Sequence, residues 1–585
     1  VRNRVDGIDR RERSHKDAWI DLADFTRSPS DWFMFQRKLL PPILCGTPRR
    51  GALSPLWLPI AATVVVVLLL LGGLWRLSVP PQERARPLRL YCAAGMRVPV
   101  EQVVARYRQE YGVPIEIQYG GSNTLLNQLQ VNRSEDADLY LAADDAFTEK
   151  AVDLGLAAET RPIAYTLPVV AVAPGNPKQV RTVQDLLRED VRVALADPDQ
   201  TAIGKGVRDR LTRVSWGDSS LWEALAERVR AGGVFKPTVN DVANDVKLGA
   251  VDAGIVWDST VTAPDYRGSL EGFRVEELSG DPDLLTIAVL RSSRQRTAAL
   301  RFARYLTARD RGLRAFQEFG MQPVDGDLWA ERPELTFFCG AVNKRVVERI
   351  VAEFARDEGV VVNTIYDGCG ILTSRMNAID QQRHELGFPD LYMACDRYYL
   401  EIDRVRDWFQ EAAYVSEADL VLVVPKGSTR VRTLSDLVQP GVRVALGEPT
   451  QCTIGVLTWN LLETAGLAEA MRKKQAAPGE VVVGKSSSAL LVPDVVTGHV
   501  DAVIAYVTDT LTNREQVEVL PLQVENSVAI QPLSIARTSP YKYLARRLFR
   551  RIAESQEAFE SAGFRYRGLG GAAEGGGPSG SFFRP

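Results

Sequence analysis

Histidine is nearly missing from this chain. Its 585 residues include three, His15, His384 and His499, too few for a His-rich metal site or a hydrolase built on histidine bases. The six cysteines (Cys45, Cys92, Cys339, Cys369, Cys395 and Cys452) form no CxxC pair, which removes a zinc ribbon and a thioredoxin-type motif. A charge excess is missing too. The 71 Lys and Arg stand against 74 Asp and Glu, so no basic face is implied and no nucleic acid is expected as a partner.

What is present is a repetition. Residues 180–198 read VRTVQDLLREDVRVALADP and residues 431–449 read VRTLSDLVQPGVRVALGEP, identical at eleven of nineteen positions with an offset of 251. A period near 250 residues is too long for a solenoid unit, so each copy is a complete domain with its own core.

Arg50 and Arg76 bracket a stretch without a charged residue, centred on the apolar run Ala61–Leu71. About 20 such residues cross a bilayer as a helix, and Trp57 and Trp75 mark its two ends, where amphipathic rings favour the headgroup layer. Residues 55–77 are therefore expected to be one transmembrane helix. Eleven Lys and Arg lie in residues 1–54. The positive-inside rule then puts the N-terminus in the cytoplasm and the remainder outside the inner or plasma membrane. A cleaved signal peptide competes, but the run is long for one and LSVPPQ offers no A-x-A-like site. Cys45 precedes the apolar run, which does not fit a lipoprotein.

The expected organisation is a polar cytoplasmic extension (1–54), the membrane helix (55–77), a Pro-rich linker (78–87), a first domain (88–327), a short linker (328–334), a second domain (335–566) and a disordered Gly-rich tail (567–585). Within each copy, short apolar runs alternate with amphipathic stretches: LRLYCAA before VEQVVARYRQEY, PIEIQY before LLNQLQV, ADLYLAA before FTEKAVDLG. That alternation predicts βαβ units, a mostly parallel sheet and an α/β fold with two small lobes per copy.

In open α/β sheets ligands bind beyond the carboxyl ends of strands, where helices begin. Two turns there are rich in small residues: Gly95-Met96-Arg97-Val98-Pro99 and Gly120-Gly121-Ser122-Asn123-Thr124. A Ser beside free helix-terminal amides is an anion site made of neutral dipoles, although the same residues also make an ordinary capped turn. The ordered set of turns, with ADLYLAADD, VALADP…IG and GAVDAGIVW, resembles the periplasmic molybdate-binding proteins of ABC transporters. The resemblance covers residues 88–325 and 335–566, and implies two tandem type II periplasmic-binding-protein domains, each two α/β lobes around a cleft. It implies capture of a small inorganic oxyanion without cofactor or enzymatic activity, for a transporter permease encoded elsewhere.

The site residues implied by that resemblance are Gly95, Ser122, Asn123, Ile203, Val239 and Trp257 in the first copy. Val342, Cys369, Ile454, Ser488 and Tyr506 are their counterparts in the second. Two departures stand out. The family's first anion-binding Ser is replaced by Gly95 and Val342, and its second survives as Ser122 but becomes Cys369. Arg97 and Lys344 share one aligned position and would supply a compensating cation, or else are solvated charges. Cys369, Cys395 and Cys452 fall at cleft-facing positions, which leaves open a soft metal ion, a disulfide or inert core thiols. A sensor role using the same fold, or an enzyme with Cys369 as nucleophile and His384 or His499 as base, are the remaining alternatives. The polar N-terminal segment shows no kinase, helix-turn-helix or coiled-coil pattern.

Overall fold

The computed structural model describes residues 86–569, apart from 133–136, 382–386 and 526. The expected cytoplasmic extension, the membrane helix at 55–77, Cys45, His384 and the tail from 570 onward lie outside the described residues. No helix among the described residues is long and apolar enough to cross a membrane.

The first strand, Leu88–Ala93, shows how the sequence builds the core. Leu88, Leu90 and Cys92 are fully buried while Arg89 between them is exposed, the period of two expected of a strand. It pairs in parallel with Ile115–Gly120 on one side and Leu139–Ala142 on the other. The crossover helix Arg97–Tyr111 stops at Gly112, whose φ of 68° is the left-handed cap that glycine tolerates best. The first lobe is completed by Asp283–Leu290, Ala157–Thr166 and Gln322–Pro323, all antiparallel. The second lobe is a five-stranded sheet in the order Glu271–Phe273, Pro168–Val172, Ala253–Trp257, Val193–Ala196, Val234–Lys236.

The sheets are thus mixed rather than mostly parallel, which corrects the expectation from sequence. The cause is topological. The chain leaves the first lobe after Thr166 and comes back at Asp283, and Asp283–Leu290 runs against the βαβ strands of the first lobe while Pro168–Val172 runs against those of the second.

The second copy repeats the plan with one difference. Its crossing strand, Phe409–Pro425, is unbroken for 17 residues, pairing with Val528–Ala536 over its first part and with Ala502–Tyr506 beyond. In the first copy Pro168 faces Trp257 at the place where Leu420 faces Tyr506. Proline has no N–H to give the ladder, so the strand is interrupted there.

The two copies are joined through their first lobes. Helix Arg296–Leu306 of the first packs on helix Lys344–Glu358 of the second, which also meets helix Lys542–Ala553. Arg304 Nη1 donates to the Glu358 carboxylate at 3.2 Å and to its carbonyl at 2.7 Å. Arg547 bridges Glu358 and Glu159, and Arg296 also reaches Glu159 at 3.0 Å. Asp327 caps helix Lys542–Ala553, accepting from the Tyr543 and Leu544 amides at 2.8 and 3.0 Å. In the linker Trp329 donates to the Tyr111 hydroxyl at 2.8 Å and packs edge-on against Tyr305.

Candidate functional site

In the first copy a cavity of about 20 Å³ lies between the lobes, bounded by Gly95, Ser122, Ile203, Val239 and Trp257 among others. Its walls are the beginnings of helices. Ser122 opens Ser122–Asn132, Ile203 is second in Ala202–Leu211, Val239 opens Val239–Lys247, and Gly95 lies in the short turn leading into Arg97–Tyr111. No charged side chain lines it. Helix N-termini carry partial positive charge and unpaired amides, so this is a neutral, dipole-lined space suited to an anion. Its volume is that of about one water molecule.

The details follow from local packing. Ser122 is buried, and its Oγ accepts the Ala143 N–H at 3.3 Å while its carbonyl accepts the Tyr140 hydroxyl at 2.7 Å. Trp257 is almost fully buried and fills the cavity side opposite Gly95. A Cβ on Gly95 would stand 3.0 Å from Val239 Cγ1 and 3.5 Å from Trp257 Cδ1, so the glycine and the indole fit each other.

The lobes are in contact around this cavity. The amides of Asn123 and Thr124 donate to the Gln200 carbonyl at 3.1 and 3.4 Å, and Asn123 Nδ2 donates to the Asp199 carbonyl at 2.7 Å. Asn240, which sequence reasoning missed, donates across the lobes to the Ala94 carbonyl at 2.8 Å. Two ion pairs add to the closure, Arg210 with Asp283 at 2.8 Å and Lys205 with Asp144 at 3.7 Å. At the same offset of 251 the second copy has Leu461 and Val456 in place of Arg210 and Lys205.

Arg97 is outside the cavity. It is exposed, its Nε lies 3.0 Å from Glu101, and its guanidinium sits over the Tyr119 ring. Lys344 repeats the arrangement with Glu348 at 3.7 Å and the Tyr366 ring. Arg97 instead borders a larger cavity of about 240 Å³ with Asn240, Asn244, Lys247, Ser259 and Tyr266. Asn240, Asn244 and Lys247 share one helix face by their i, i+4, i+7 spacing, but nothing in the spacing signals that Arg97, Ser259 and Tyr266 meet them.

In the second copy Val342, Cys369, Ile454, Ser488 and Tyr506 are all buried. Cys369 Sγ accepts the Cys395 N–H at 3.1 Å, and the two sulfurs are 3.1 Å apart. The hydroxyls of Tyr506, Thr453 and Tyr392 are sealed from solvent without a completed hydrogen bond. Cys452 turns away, its thiol reaching the Lys485 carbonyl at 3.4 Å. No group of three or more His, Cys, Asp and Glu among the described residues is arranged to hold a metal ion. His499 is exposed and engages Thr497 at 2.9 Å.

Comparison with known proteins gives the family. The sequence pattern described as bacterial extracellular solute-binding protein matches twice, over residues 88–322 and 335–565. The chain belongs to that family. It is similar to the molybdate-binding protein ModA of Mycobacterium tuberculosis, 27% identical over 253 residues, with 43% of this chain and 90% of that protein covered. ModA of Escherichia coli K12 is 26% identical over 151 residues, covering 24% of this chain and 58% of that protein. Among solved structures, the periplasmic molybdate-binding protein of Azotobacter vinelandii is 18% identical with a TM-score of 0.33, covering 40% of this chain and 98% of that one. The described part of this solute-binding protein is two tandem domains of that family, each with the two α/β lobes of a type II periplasmic-binding-protein domain.

Proposed function

We propose that the first copy captures a small tetrahedral oxyanion, of the molybdate or tungstate kind, and offers the closed form to an ABC transporter permease encoded elsewhere. The binding domains work outside the membrane that residues 55–77 anchor them to. The observation that carries this reading is the set of four helix beginnings around one uncharged cavity. Each helix terminus favours an anion by roughly 0.3–1 kcal/mol, more when partly buried. Ser122 adds a hydroxyl, and the amides near Gly95, Ile203 and Val239 add donors. Arg97 and Lys344 have no part in it.

The closed cavity has room for about one water, so capture requires the lobes to part and to close again over the ligand. Hinge motion of that kind uses a few residues between lobes, and Thr166–Pro168 occupies that position. The reading is supported also by the named activity of the ModA relatives. The test is the melting temperature of the full chain in detergent with molybdate, tungstate, sulfate or phosphate. A ligand at a hundred times its Kd stabilises by about 2.7 kcal/mol. If none of the four raises the melting temperature at millimolar concentration, the oxyanion reading fails.

A further inference from the structure

The second cleft differs from the first at three touching positions at once. Aligned through the repeat, Ser122 becomes Cys369, Ala143 becomes Cys395 and Ala93 becomes Gly340. The hydrogen bond survives the exchange: Ser122 Oγ accepts the Ala143 N–H at 3.3 Å, and Cys369 Sγ accepts the Cys395 N–H at 3.1 Å. The third change makes the other two possible. A Cβ at Gly340 would stand 2.8 Å from Cys369 Sγ and closer still to Cys395 Sγ, so the alanine of the first copy would collide with both sulfurs. Three substitutions that fit one another describe a built pair rather than stray core thiols.

We propose that Cys369 and Cys395 form a reversible dithiol–disulfide site in the second cleft, oxidised by a small-molecule disulfide that enters when the lobes part. Both thiols are free and buried, with sulfurs 3.1 Å apart. Their environments assign different roles. Cys369 opens the 13-residue helix Cys369–Gln381, and a helix N-terminus favours thiolate. Burial alone would raise its pKa, but hydrogen bonding from the Cys395 thiol and the Cys395 amide opposes burial, and its pKa is held below the usual thiol range. The hydrogen bond with Cys369, followed by burial, pushes Cys395 well up. Cys339 and Cys452 are also raised by burial and bond to backbone carbonyls. Cys369 is therefore the attacking sulfur and Cys395 the resolving one.

The chemistry balances. The Cys369 thiolate attacks one sulfur of the oxidant R–S–S–R, forming a Cys369–S–S–R bond and expelling RS⁻. The Cys395 thiol gives its proton to that thiolate, and its sulfur attacks Cys369. The S–S bond of the mixed disulfide breaks, the second RS⁻ leaves and takes up a solvent proton, and the oxidant has been reduced to two thiols. The Cys369 sulfur is then tied to its neighbour. The proposal is independent of what the first copy binds.

The test uses the full chain in detergent with excess oxidised glutathione, then alkylation under denaturing conditions and peptide mapping. The expected result is loss of two alkylatable thiols per chain and a Cys369–Cys395 linked peptide, both reversed by dithiothreitol. Cys395→Ala, the first copy's own residue, should accumulate a glutathione mixed disulfide on Cys369. Cys369→Ser, again the first copy's residue, should leave Cys395 unoxidised. Retention of both thiols in the wild-type chain, linkage of a different pair, or oxidation of Cys395 in the Cys369→Ser variant would overturn the assignment.

Discussion

Replacing Glu358 with Gln tests whether the two copies are one mechanical body. The carboxylate is 2% exposed and lies between Arg304 of the first copy, itself 7% exposed, and Arg547 of the second. Burial raises the Glu358 pKa, with Arg161 and Arg304 opposing it, and burial pushes Arg304 down to about 10, which leaves the guanidinium charged at neutral pH. The substitution keeps the shape but removes the charge. Arg304 keeps the backbone carbonyl of residue 358 and a neutral amide oxygen but loses its carboxylate, and Arg547 keeps Glu159 as its anion. Removing one partner of a buried pair costs about 3–5 kcal/mol, because the desolvated cation stays behind. At roughly 2–4 °C per kcal/mol for a domain of this size, the melting temperature should fall by about 6–20 °C. Calorimetry should also show one transition in the parent chain and two in the variant, since the lost contact joins the copies. Exchanging Arg304→Met together with Glu358→Leu should recover part of the loss. A fall of less than about 1 kcal/mol with a single transition in Glu358→Gln would refute the reasoning.

Three other outcomes are expected. Gly95→Ser alone should weaken molybdate binding, because its side chain meets Val239 and Trp257. Gly95→Ser with Trp257→Tyr should strengthen it by about ten- to a hundredfold through the regained donor and space, and isothermal calorimetry on both variants checks that non-additivity. Gly121→Ala places a methyl against the Gln200 carbonyl oxygen and 3.2 Å from the Pro237 carbonyl, so ligand should no longer compact the chain in small-angle scattering. Asp509 has its Oδ2 sealed from solvent, and burial pushes it up to about 6 despite a hydrogen bond from Ser488. A raised carboxyl favours the folded state when protonated. Its contribution, at most about 3 kcal/mol, is fully present below pH 3.8 and is lost as pH rises through 6. Asp283, also raised to about 6 by burial, acts with the same sign. Urea midpoints between pH 4 and 7 should show that slope reduced in Asp509→Asn.

The strands were legible because burial has a period. Leu88, Leu90 and Cys92 alternate with exposed or half-buried neighbours, and the shared words of the two copies mark complete domains. The antiparallel crossing strands were not legible. Ala157–Thr166 and Asp283–Leu290 are apolar runs like the others, and direction within a sheet leaves no local trace. Of the candidate site residues, Gly95, Ser122, Ile203, Val239 and Trp257 meet at one cavity, whereas Arg97 and Lys344 point to solvent beside Glu101 and Glu348. Alignment places a Cα, but the rotamer decides where a long side chain's charge goes. The second turn, with Gly120 and Gly121, is one of the small-residue turns at a strand's carboxyl end where a ligand is expected. Gly121 and its counterpart Gly368 admit carbonyls of the opposite lobe there, and a chain read one residue at a time cannot reveal which partner takes the room.

The same limit explains why the two clefts differ in sets. Cavity volume is a property of several side chains together, so a change at one position is tolerated only when a neighbour answers it. Gly95 answers Trp257 in the first copy, and Gly340 answers the paired sulfurs of Cys369 and Cys395 in the second. Each substitution alone looks like the loss of a donor. Taken as sets, they keep both interiors filled while giving the first cleft neutral dipoles and the second a pair of thiols. The buried ion network that joins the copies is built from Glu159, Arg304, Glu358 and Arg547, none of them in the Thr166–Pro168 crossing between the lobes of the first copy.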